Sequence, residues 1–377
     1  MGVSDDWAAR LDPGVVSFYR LRMMGVHATA ATRGERAGGG ARPETAEIRR
    51  LLSESGIERG EPTRIYWYTA RRPVAHVEFS AGTPVVLKWL DAAGLSSGNE
   101  SFALRLLRGL APPDVLAEAL PRLVGTSPTG EVQIFDYIDH VSTWAEQATN
   151  RGAPGAPPYT ALGQVLAALH ALPVDGMDQR YPDRRVKFPI PSLSRLTPAE
   201  FSRGYGTDFA EYVTAIQAVE EEMALMRETW THHHYIHFDL HDDNVLFRDE
   251  EPSVALIDWE AAGFGEAAYD AGTVLGQILL HGLPGLQSGA DSPAAAKALE
   301  PARTFLGSYL RFSTMSDEAL LRIIQFAGVF LMMSNLGRLE KVGSLGRVGR
   351  LSLIVGRRLV QDPEPRLALF AARLGRQ

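Results

Sequence analysis

The segment from His237 to Asn244, HFDLHDDN, concentrates the side chains of this chain that could do chemistry. Asn244 follows Asp239 by five positions and Asp258 follows it by nineteen, and each lies beside a short strand-like run. Transfer of a γ-phosphoryl group needs a base that orients the attacking hydroxyl, together with oxygen ligands for Mg²⁺. The residue types and their spacing therefore predict Asp239 as the base and Asn244 and Asp258 as the metal ligands.

The part of the chain before this segment is rich in β-branched and aromatic runs, which are typical of strands. We predict a short helix at 44–53, strands at 64–69, 74–79 and 84–90 in an antiparallel meander, a helix at 99–110, and a strand pair ending at 132–138. These elements form a small β-rich unit.

The part of the chain after residue 158 is mostly helical. A connector rich in Pro and Gly at 150–158 precedes apolar stripes at helical spacing, which predict helices at 161–172 and 208–230 and again from about 268 to 377. Short strand-like pieces at 235–236 and 254–257 interrupt the helices. We therefore expect two lobes with a cleft between them and the connector as a hinge.

The catalytic segment and the later run Ile257-Asp-Trp-Glu260 resemble the signature of the aminoglycoside phosphotransferase and choline kinase-like superfamily, H-x-D-x-x-x-x-N followed by I-D-[WF]-E. An Asp- and Asn-rich loop is also ordinary turn chemistry, but two linked motifs favour the catalytic interpretation. The resemblance implies an α+β, bilobal protein-kinase-like fold. It divides the chain into an N-terminal extension at 1–60, a nucleotide-binding N-lobe at 61–138, and a helical C-lobe at 139–377 that carries the catalytic loop and the acceptor site.

Further site residues follow from this resemblance. Lys88, on the third strand, matches the lysine that pairs with the α- and β-phosphates, and Glu100 matches its acidic partner. Each could also be an ordinary surface residue, Glu100 being an acid favoured at a helix start. The run around Asp136 and Ile138 is similar to the interlobe hinge, where the adenine edge would bond the carbonyl of Asp136 and the N–H of Ile138.

Four residues are expected to support the site. Asp270 matches the family's Tyr-Asp element, whose buried carboxylate accepts hydrogen bonds from the catalytic-loop backbone, and His237 is expected to anchor the same loop. Glu260 is a candidate to reach a metal through water. His241 stands where Ser/Thr protein kinases place a lysine, and only twelve positions separate Asp258 from Asp270, which leaves no room for a long activation segment.

One expected feature departs from the family pattern. The turn at 70–73, between the first two strands, contains no glycine, although kinase-like lobes cover the phosphates with this turn. Arg71 or Arg72 could contact phosphate, and the glycine run at 38–40 lies too far upstream to take part. The resemblance implies Mg²⁺ and a nucleoside triphosphate as cofactors. Because the turn departs from the family pattern, the choice between ATP and GTP stays open.

The phosphoryl acceptor stays open among three hypotheses. The first is an O-phosphotransferase acting on a small molecule such as an aminoglycoside or another amino-sugar-like compound, for which the carboxylates of Glu220–Glu222, Asp242 and Asp243 could form part of an acidic pocket. The second is a kinase of the same fold that phosphorylates Ser or Thr of a ribosomal peptide precursor. Its support is the basic run 180–187 and an arginine stripe at 347, 350, 357 and 358. The third is a catalytically inactive binding module.

The composition and the net charge exclude several classes of protein, of site and of partner. The chain has 377 residues, a formal net charge of −7 and no cysteine, which excludes a disulfide scaffold, a cysteine-based zinc site and a thiol nucleophile. The acidic net charge argues against a nucleic-acid partner, because binding to the phosphate backbone depends on Lys and Arg contacts. The most apolar stretch, 323–333, is short for a membrane span, so we expect no membrane partner and a cytoplasmic protein. Three consecutive histidines at 232–234 are expected to form a polar helix exit rather than a metal site.

Overall fold

The computed structural model describes residues 43–68, 73–90, 98–144, 146–147, 156–190, 206–248, 252–286 and 292–371. It has an α+β architecture with two lobes, as predicted. We call them the sheet lobe and the helical lobe. The glycine run at 38–40 and the arginines at 71 and 72 lie outside the described residues.

The sheet lobe is built on five antiparallel strands in the order β1-β2-β3-β5-β4. They are β1 Pro62–Tyr68, β2 Val74–Phe79, β3 Val85–Trp89, β4 Leu123–Thr126 and β5 Val132–Asp136. The predicted meander of the first three strands is confirmed. Lys88 of β3 pairs with Val74 on one side and Gln133 on the other, so it lies in the middle of the sheet.

The two faces of this sheet differ, because successive side chains in a strand point to opposite sides. One face packs under helix α1 (Thr45–Glu54), whose Ile48 and Leu52 close a core with Val85 and Leu87 of β3. The alternate side chain Lys88 therefore points away from this core. The strand pattern alone directs its ammonium group toward the cleft.

Helix α2 (Asn99–Gly109) and the short helix α3 (Asp114–Ala117) connect β3 to β4. The buried side chains of α2 are not part of the core under α1. Ala103, Leu104 and Leu107 belong instead to the large apolar cluster that fills the helical lobe. Helix α2 therefore packs against the helical lobe, and Gln133 Nε2 of β5 ties it to the sheet by donating to Ser101 Oγ at 2.8 Å.

The chain enters the helical lobe earlier than the connector at 150–158. Strand β6 (Val141–Thr143) already pairs with β8 (Val245–Arg248), which pairs with β9 (Val254–Leu256). The prediction that 150–158 is the hinge between the lobes is therefore wrong. Residues 148–155 lie outside the described part of the chain, and 156–158 form the first turn of the next helix.

The helical lobe contains the remaining helices of the described chain. They are α4 Ala156–His170, α5 Met177–Arg180, α6 Thr207–Gln217, α7 Glu220–Glu228, α8 Ala267–Leu286, α9 Pro293–Phe312, α10 Asp317–Val342, α11 Gly346–Gln361 and α12 Pro363–Ala371. Helix α8 lies at the centre and packs on α10. Their close approach needs Gly276, because an added Cβ would lie 2.8 Å from the Cβ of Phe330.

The predicted single helix at 208–230 is two helices, α6 and α7. The chain leaves helical geometry at Val219, where φ is −124°. The side chain of Gln361 donates from Nε2 to the carbonyl of Ala218 at 2.7 Å and so satisfies a carbonyl freed at this break. The apolar periodicity continues through the break, so it could not reveal it.

Helix α10 is longer and more apolar than its eleven-residue apolar stretch suggested. The 23 residues Asp317–Leu339 are long and apolar enough to cross a membrane by length and composition, and 56% of the apolar window is buried inside the structure. Core helices of soluble proteins pass the same test, and α10 packs against α8 and α11.

A pair of short strands places the segment 237–244 next to the second motif, residues 257–260. Strand β7 (His234–Ile236) runs antiparallel to β10 (Gly263–Gly265), with Ile236 opposite Gly263. The loop that follows β7 begins at His237, and a turn at 259–261 precedes β10. Two segments separated by some twenty residues therefore meet in one site.

Candidate active site

The ammonium group of Lys88 is surrounded by three carboxylates. Its Nζ lies 2.9 Å from Glu100 Oε2, 2.5 Å from Asp258 Oδ1 and 3.5 Å from Glu260 Oε2. Strand β3 supplies the lysine, α2 supplies Glu100, and the turn after β9 supplies the other two. The structure therefore brings together four residues that the sequence singled out.

Burial and charge act in opposite directions on these groups. Burial alone would lower the pKa of Lys88, but the carboxylates of Glu100, Asp258 and Glu260 outweigh it and raise the pKa above the usual lysine value. Burial raises the pKa of Glu100, an effect that Lys88 opposes. The lysine is thus charged at neutral pH and is held in the cleft as a fixed cation.

Glu100 is held on its second oxygen by the backbone. The N–H of Trp259 donates to Glu100 Oε1 at 3.1 Å, and the indole of Trp259, which is fully buried, donates to the carbonyl of Leu256 at 2.7 Å. Asp258, just before it, has a φ of +64°, a left-handed conformation that aspartate tolerates better than most residues. The second motif thus supports Glu100 while it presents Asp258.

Residues 237–244, which we call the catalytic loop after their predicted role, are fastened at their start by Asp270, at the beginning of α8. Its two carboxylate oxygens accept the N–H groups of His237 at 2.7 Å and of Phe238 at 2.9 Å. Phe238 has a φ of +69°, which is strained for a bulky residue. Asp270 is completely buried, and its Oδ2 also lies 3.5 Å from His170 Nε2.

His237 supports the loop from inside. Its Nδ1 accepts the N–H of Asp239 at 3.3 Å, so the ring proton lies on Nε2, which donates to the carbonyl of Ile257 at 2.9 Å. Burial lowers the pKa of His237, which keeps the ring neutral in this role. One imidazole therefore links the catalytic loop to the residue before Asp258.

Asp239 and Asn244 lie side by side across the loop. The Nδ2 of Asn244 donates to the Asp239 carbonyl at 2.8 Å and lies 3.4 Å from Asp239 Oδ2. His241 Nε2 lies 3.6 Å from the same carboxylate oxygen. Because the amide nitrogen of Asn244 faces the loop, its oxygen is the atom available to a cation.

The oxygen atoms of this site fit a magnesium–nucleotide complex better than a metal held by protein alone. Among the described residues, no group of three or more His, Cys, Asp or Glu side chains is arranged to hold a metal ion. Mg²⁺ in phosphoryl-transfer sites usually takes one or two protein oxygens and completes its shell with phosphate and water. Asp258 and Asn244 would supply such oxygens.

The predicted hinge residues end β5 at the edge of the cleft. The side chain of Asp136 pairs with Arg59 Nη2 at 2.6 Å. The backbone N–H of Asp136 donates to the carbonyl of Arg122 at 2.9 Å. Across the described residues the N–H of Ile138 meets no hydrogen-bond acceptor. The ring of Tyr137 stacks on His76 with centroids 3.8 Å apart.

Several residues of the site were not found from the sequence. Arg59 lies in a segment that carries no motif. It pairs with Asp136 and donates to Thr83 Oγ1 at 2.5 Å, and it thereby ties the N-terminal segment to the predicted hinge. His281 Nε2 lies 3.0 Å from Asp242 Oδ1 and holds the middle of the catalytic loop. These partners are distant in the chain, and a lone histidine on a helix gives no signal in one sequence.

Replacing Asp270 with asparagine should destabilise the protein. The amide keeps one acceptor oxygen but turns an NH₂ group toward a backbone N–H, so one buried charge-assisted hydrogen bond is lost. We expect the free energy of unfolding to fall by about 2 kcal/mol.

Urea denaturation followed by far-UV circular dichroism measures this change. The matched control is Asp362→Asn, which alters a carboxylate whose side chain is 57% exposed and should change the unfolding free energy little. Equal stability of the two variants would contradict the anchoring role of Asp270.

Comparison with known proteins gives independent evidence on the family of this chain. A family model described as "Phosphotransferase enzyme family" matches residues 87–300, more than half of the chain, and this range includes the third strand, the catalytic loop and the second motif. No curated protein matches the sequence.

Solved structures of similar fold exist. An amicoumacin kinase, hAmiN, solved with AMP-PNP, Ca²⁺ and Ami, is 15% identical, with 86% of this chain and 95% of that chain covered and a TM-score of 0.51. Choline kinase LicA from Streptococcus pneumoniae is 13% identical, with 83% and 97% covered and a TM-score of 0.46. Aminoglycoside phosphotransferase APH(2'')-Ib is 14% identical, with 86% and 98% covered and a TM-score of 0.47. At such identities the amicoumacin kinase shows a shared kinase-like fold and nothing further.

Proposed function

Because this chain belongs to the phosphotransferase enzyme family, we propose that it transfers the γ-phosphoryl group of ATP to a hydroxyl of a small molecule. The observation that carries this proposal is the convergence of Lys88 and its carboxylates on the loop that holds Asp239 and Asn244. Residues 61–138 would hold the nucleotide, residues 139–377 would carry the catalytic loop and the acceptor site, and residues 1–60 would be an N-terminal extension, whose described part contributes helix α1 to the face of the sheet. A cytoplasmic location would fit the use of ATP as the donor.

Each site residue has a part in this reaction. Lys88 would bind the α- and β-phosphates, and the backbone of Asp136 and Ile138 would bind the adenine edge. Asp258 and Asn244 would hold Mg²⁺, which neutralises charge on the phosphates when bound. Asp239 would orient the acceptor hydroxyl and take up its proton, with His241 beside its carboxylate.

A small-molecule acceptor fits the described residues better than a peptide. Two arginines of the basic run are engaged within the chain, since Arg185 pairs with Asp178 at 2.7 Å and Arg184 bonds Asn99 at 2.8 Å. Arg350 of the arginine stripe pairs with Asp208 and lies on α11. These three arginines already have partners within the chain, which weakens the support for a peptide acceptor.

The catalytic loop carries additional acids on the helical-lobe side. Asp242 and Asp243 follow His241 directly, and Asp242 contacts His281 on α8. Carboxylates beside the base would favour a cationic acceptor, such as an amino sugar, over an anionic one. An aminoglycoside or a related antibiotic is the specific substrate class that we propose.

A transfer screen tests the function. Purified protein with Mg²⁺ is incubated with ATP or GTP and a panel of aminoglycosides, other amino-sugar compounds, neutral sugars and Ser/Thr peptides, and the products are read by mass spectrometry. We expect phosphorylation of a hydroxylated amine with ATP as the better donor. Phosphorylation of peptides alone would replace the small-molecule assignment.

Changing Lys88 to methionine should reduce turnover about a hundredfold, the scale of losing one fixed charge that stabilises the transition state. The variant also leaves Glu100 as a buried carboxylate without its cation, so we expect a loss of stability of up to about 3 kcal/mol.

A double variant separates the two effects. Lys88→Met combined with Glu100→Gln should regain the stability measured by urea denaturation but not the activity. Wild-type turnover in either variant would show that β3 does not present Lys88 to the phosphates.

A further inference from the structure

The start of α2 meets the basic run 180–187 at a contact between the lobes. Asn99, the first residue of α2, donates from Nδ2 to the carbonyls of Glu260 at 2.5 Å and Ala262 at 2.9 Å. Its Oδ1 accepts a hydrogen bond from Arg184 Nη1 at 2.8 Å. Because the nitrogen must donate and the oxygen must accept, these partners fix the orientation of the amide.

Arg184 contacts α2 at a second point. Its guanidinium lies 4.7 Å from the centre of the Phe102 ring, and Phe102 meets Tyr181 edge-on with ring centroids 5.1 Å apart. Asn99 and Phe102 are three residues apart on α2, so they share one face of the helix. One arginine of the helical lobe therefore touches the first turn of α2 twice.

The backbone around Arg184 is itself held in place. The N–H of Val186 donates to the carbonyl of Phe264 in β10 at 2.9 Å. The Arg184 carbonyl packs so closely on Gly263 that a Cβ added there would overlap with it. Arg184 is thus presented by a segment that is fastened to the strand beside the catalytic loop.

These contacts act on the residue next to Asn99. Glu100 accepts a hydrogen bond from Lys88 and another from the N–H of Trp259, so its position depends on where the first turn of α2 lies. On the sheet-lobe side, Gln133 Nε2 donates to Ser101 Oγ at 2.8 Å and Arg108 Nη2 donates to the carbonyl of Pro121 at 3.1 Å. Toward the helical lobe, α2 also presents apolar side chains such as Leu104 and Leu107, which can slide more easily than directed hydrogen bonds.

We infer that Asn99 and Arg184 form a clamp between the lobes, a pair of positioning residues that hold α2 where Glu100 meets Lys88. The inference rests on the proposed function, because Lys88 matters through the nucleotide phosphates. Asp270 follows Asp258 by only twelve positions, so no long activation segment lies between them, and the clamp would hold Glu100 without one. It also gives part of the basic run 180–187 a role inside the molecule.

Loss of the clamp would allow α2 to move and Glu100 to leave Lys88. Neither clamp residue is among the groups proposed to hold the nucleotide, so nucleotide affinity should change by less than about threefold while the rate at saturating nucleotide falls about ten- to a hundredfold. A residue needed only for stability would lower the melting temperature without this separation.

The experiment compares Arg184→Ala, Asn99→Ala and their double variant, with Arg185→Ala as the matched control. Arg185 neighbours the clamp but pairs with Asp178. Three quantities are measured with Mg²⁺ present: affinity for a fluorescent ATP analogue, ATP consumption at saturating ATP, and hydrogen–deuterium exchange of peptides covering α2. We expect the double variant to be no slower than the slower single variant, because both side chains act through one contact, and we expect faster exchange confined to α2 and the adjoining 259–265 segment.

Conservative variants keep the test informative if the alanine variants fold poorly. Asn99→Asp keeps the size and the acceptor for Arg184 but loses the donor to Glu260 and Ala262, and Arg184→Lys keeps the charge but loses the planar donor geometry. Arg184→Lys should show the same pattern to a smaller degree, and Asn99→Asp should show it at least as strongly as Asn99→Ala, because its carboxylate oxygen faces the carbonyls of Glu260 and Ala262. Additive effects, or exchange and turnover equal to those of Arg185→Ala, would overturn the clamp.

Failure of the proposed function would be recognised separately. In that case the wild type itself would neither bind the ATP analogue nor consume ATP, while exchange in α2 would still report on the clamp.

Discussion

Changing Asp239 to asparagine is expected to lower phosphoryl transfer by about two orders of magnitude or more, the usual scale for losing a positioned acid–base group. Affinity for Mg-ATP should stay within a few-fold of the wild type, because we propose that this residue faces the acceptor and not the metal. In a loose transition state the hydroxyl loses its proton late, so the carboxylate mainly orients the hydroxyl and collects the proton afterwards.

The structure makes this a conservative change. The carboxylate of Asp239 lies beside Asn244 Nδ2 at 3.4 Å, and its N–H is held by His237, so an amide of the same shape keeps the loop in place. Nucleotide binding by calorimetry and single-turnover transfer are measured on the same variant. Lost binding with normal chemistry would make Asp239 a metal ligand, and unchanged chemistry would favour an inactive binding module.

Changing Asp258 to alanine is expected to abolish transfer and to remove the dependence of nucleotide affinity on Mg²⁺. A hard cation needs an anionic oxygen here, and alanine offers none. Lys88 keeps its partner Glu100 at 2.9 Å, so the cleft should keep its shape.

Glu260→Gln is the matched comparison for this variant. Glu260 is as exposed as Asp258, with 34% of each side chain accessible, but it lies further from Lys88, at 3.5 Å. If Glu260 reaches the metal only through water, its variant should retain most of the activity. Calorimetric titration of Mg-ATP into Asp258→Ala that matched the wild type would remove Asp258 from the metal site.

The sequence was most informative where a local pattern decides the structure. Strand runs and apolar periodicity predicted the sheet and most helices, because alternation and helical spacing follow directly from which face is buried. The family resemblance led to Lys88, Glu100, Asp239 and Asp258, and the family and the kinase-like fold are confirmed. The roles of these four residues are predictions that the variants described above test.

The sequence was least informative where two distant segments meet. The break at Val219 is stabilised by Gln361 from another helix, and the crossing between the lobes is set by pairing of β6 with β8. Asn99 and Arg184 carry no motif and become visible only when their contact is formed. Such residues depend on tertiary partners that a single sequence does not reveal.

We propose that one site, built from Lys88, Asp239, Asn244 and Asp258, transfers the γ-phosphoryl group to an acceptor hydroxyl. The most direct test follows ATP labelled in its γ-phosphate through a reaction with the acceptor found in the screen. We predict that label and ADP appear together in equal amounts, with the label on the acceptor, and that Asp239→Asn and Asp258→Ala form almost no labelled acceptor. Label that stays in ATP, or passes only to inorganic phosphate while the nucleotide is bound, would contradict the claim.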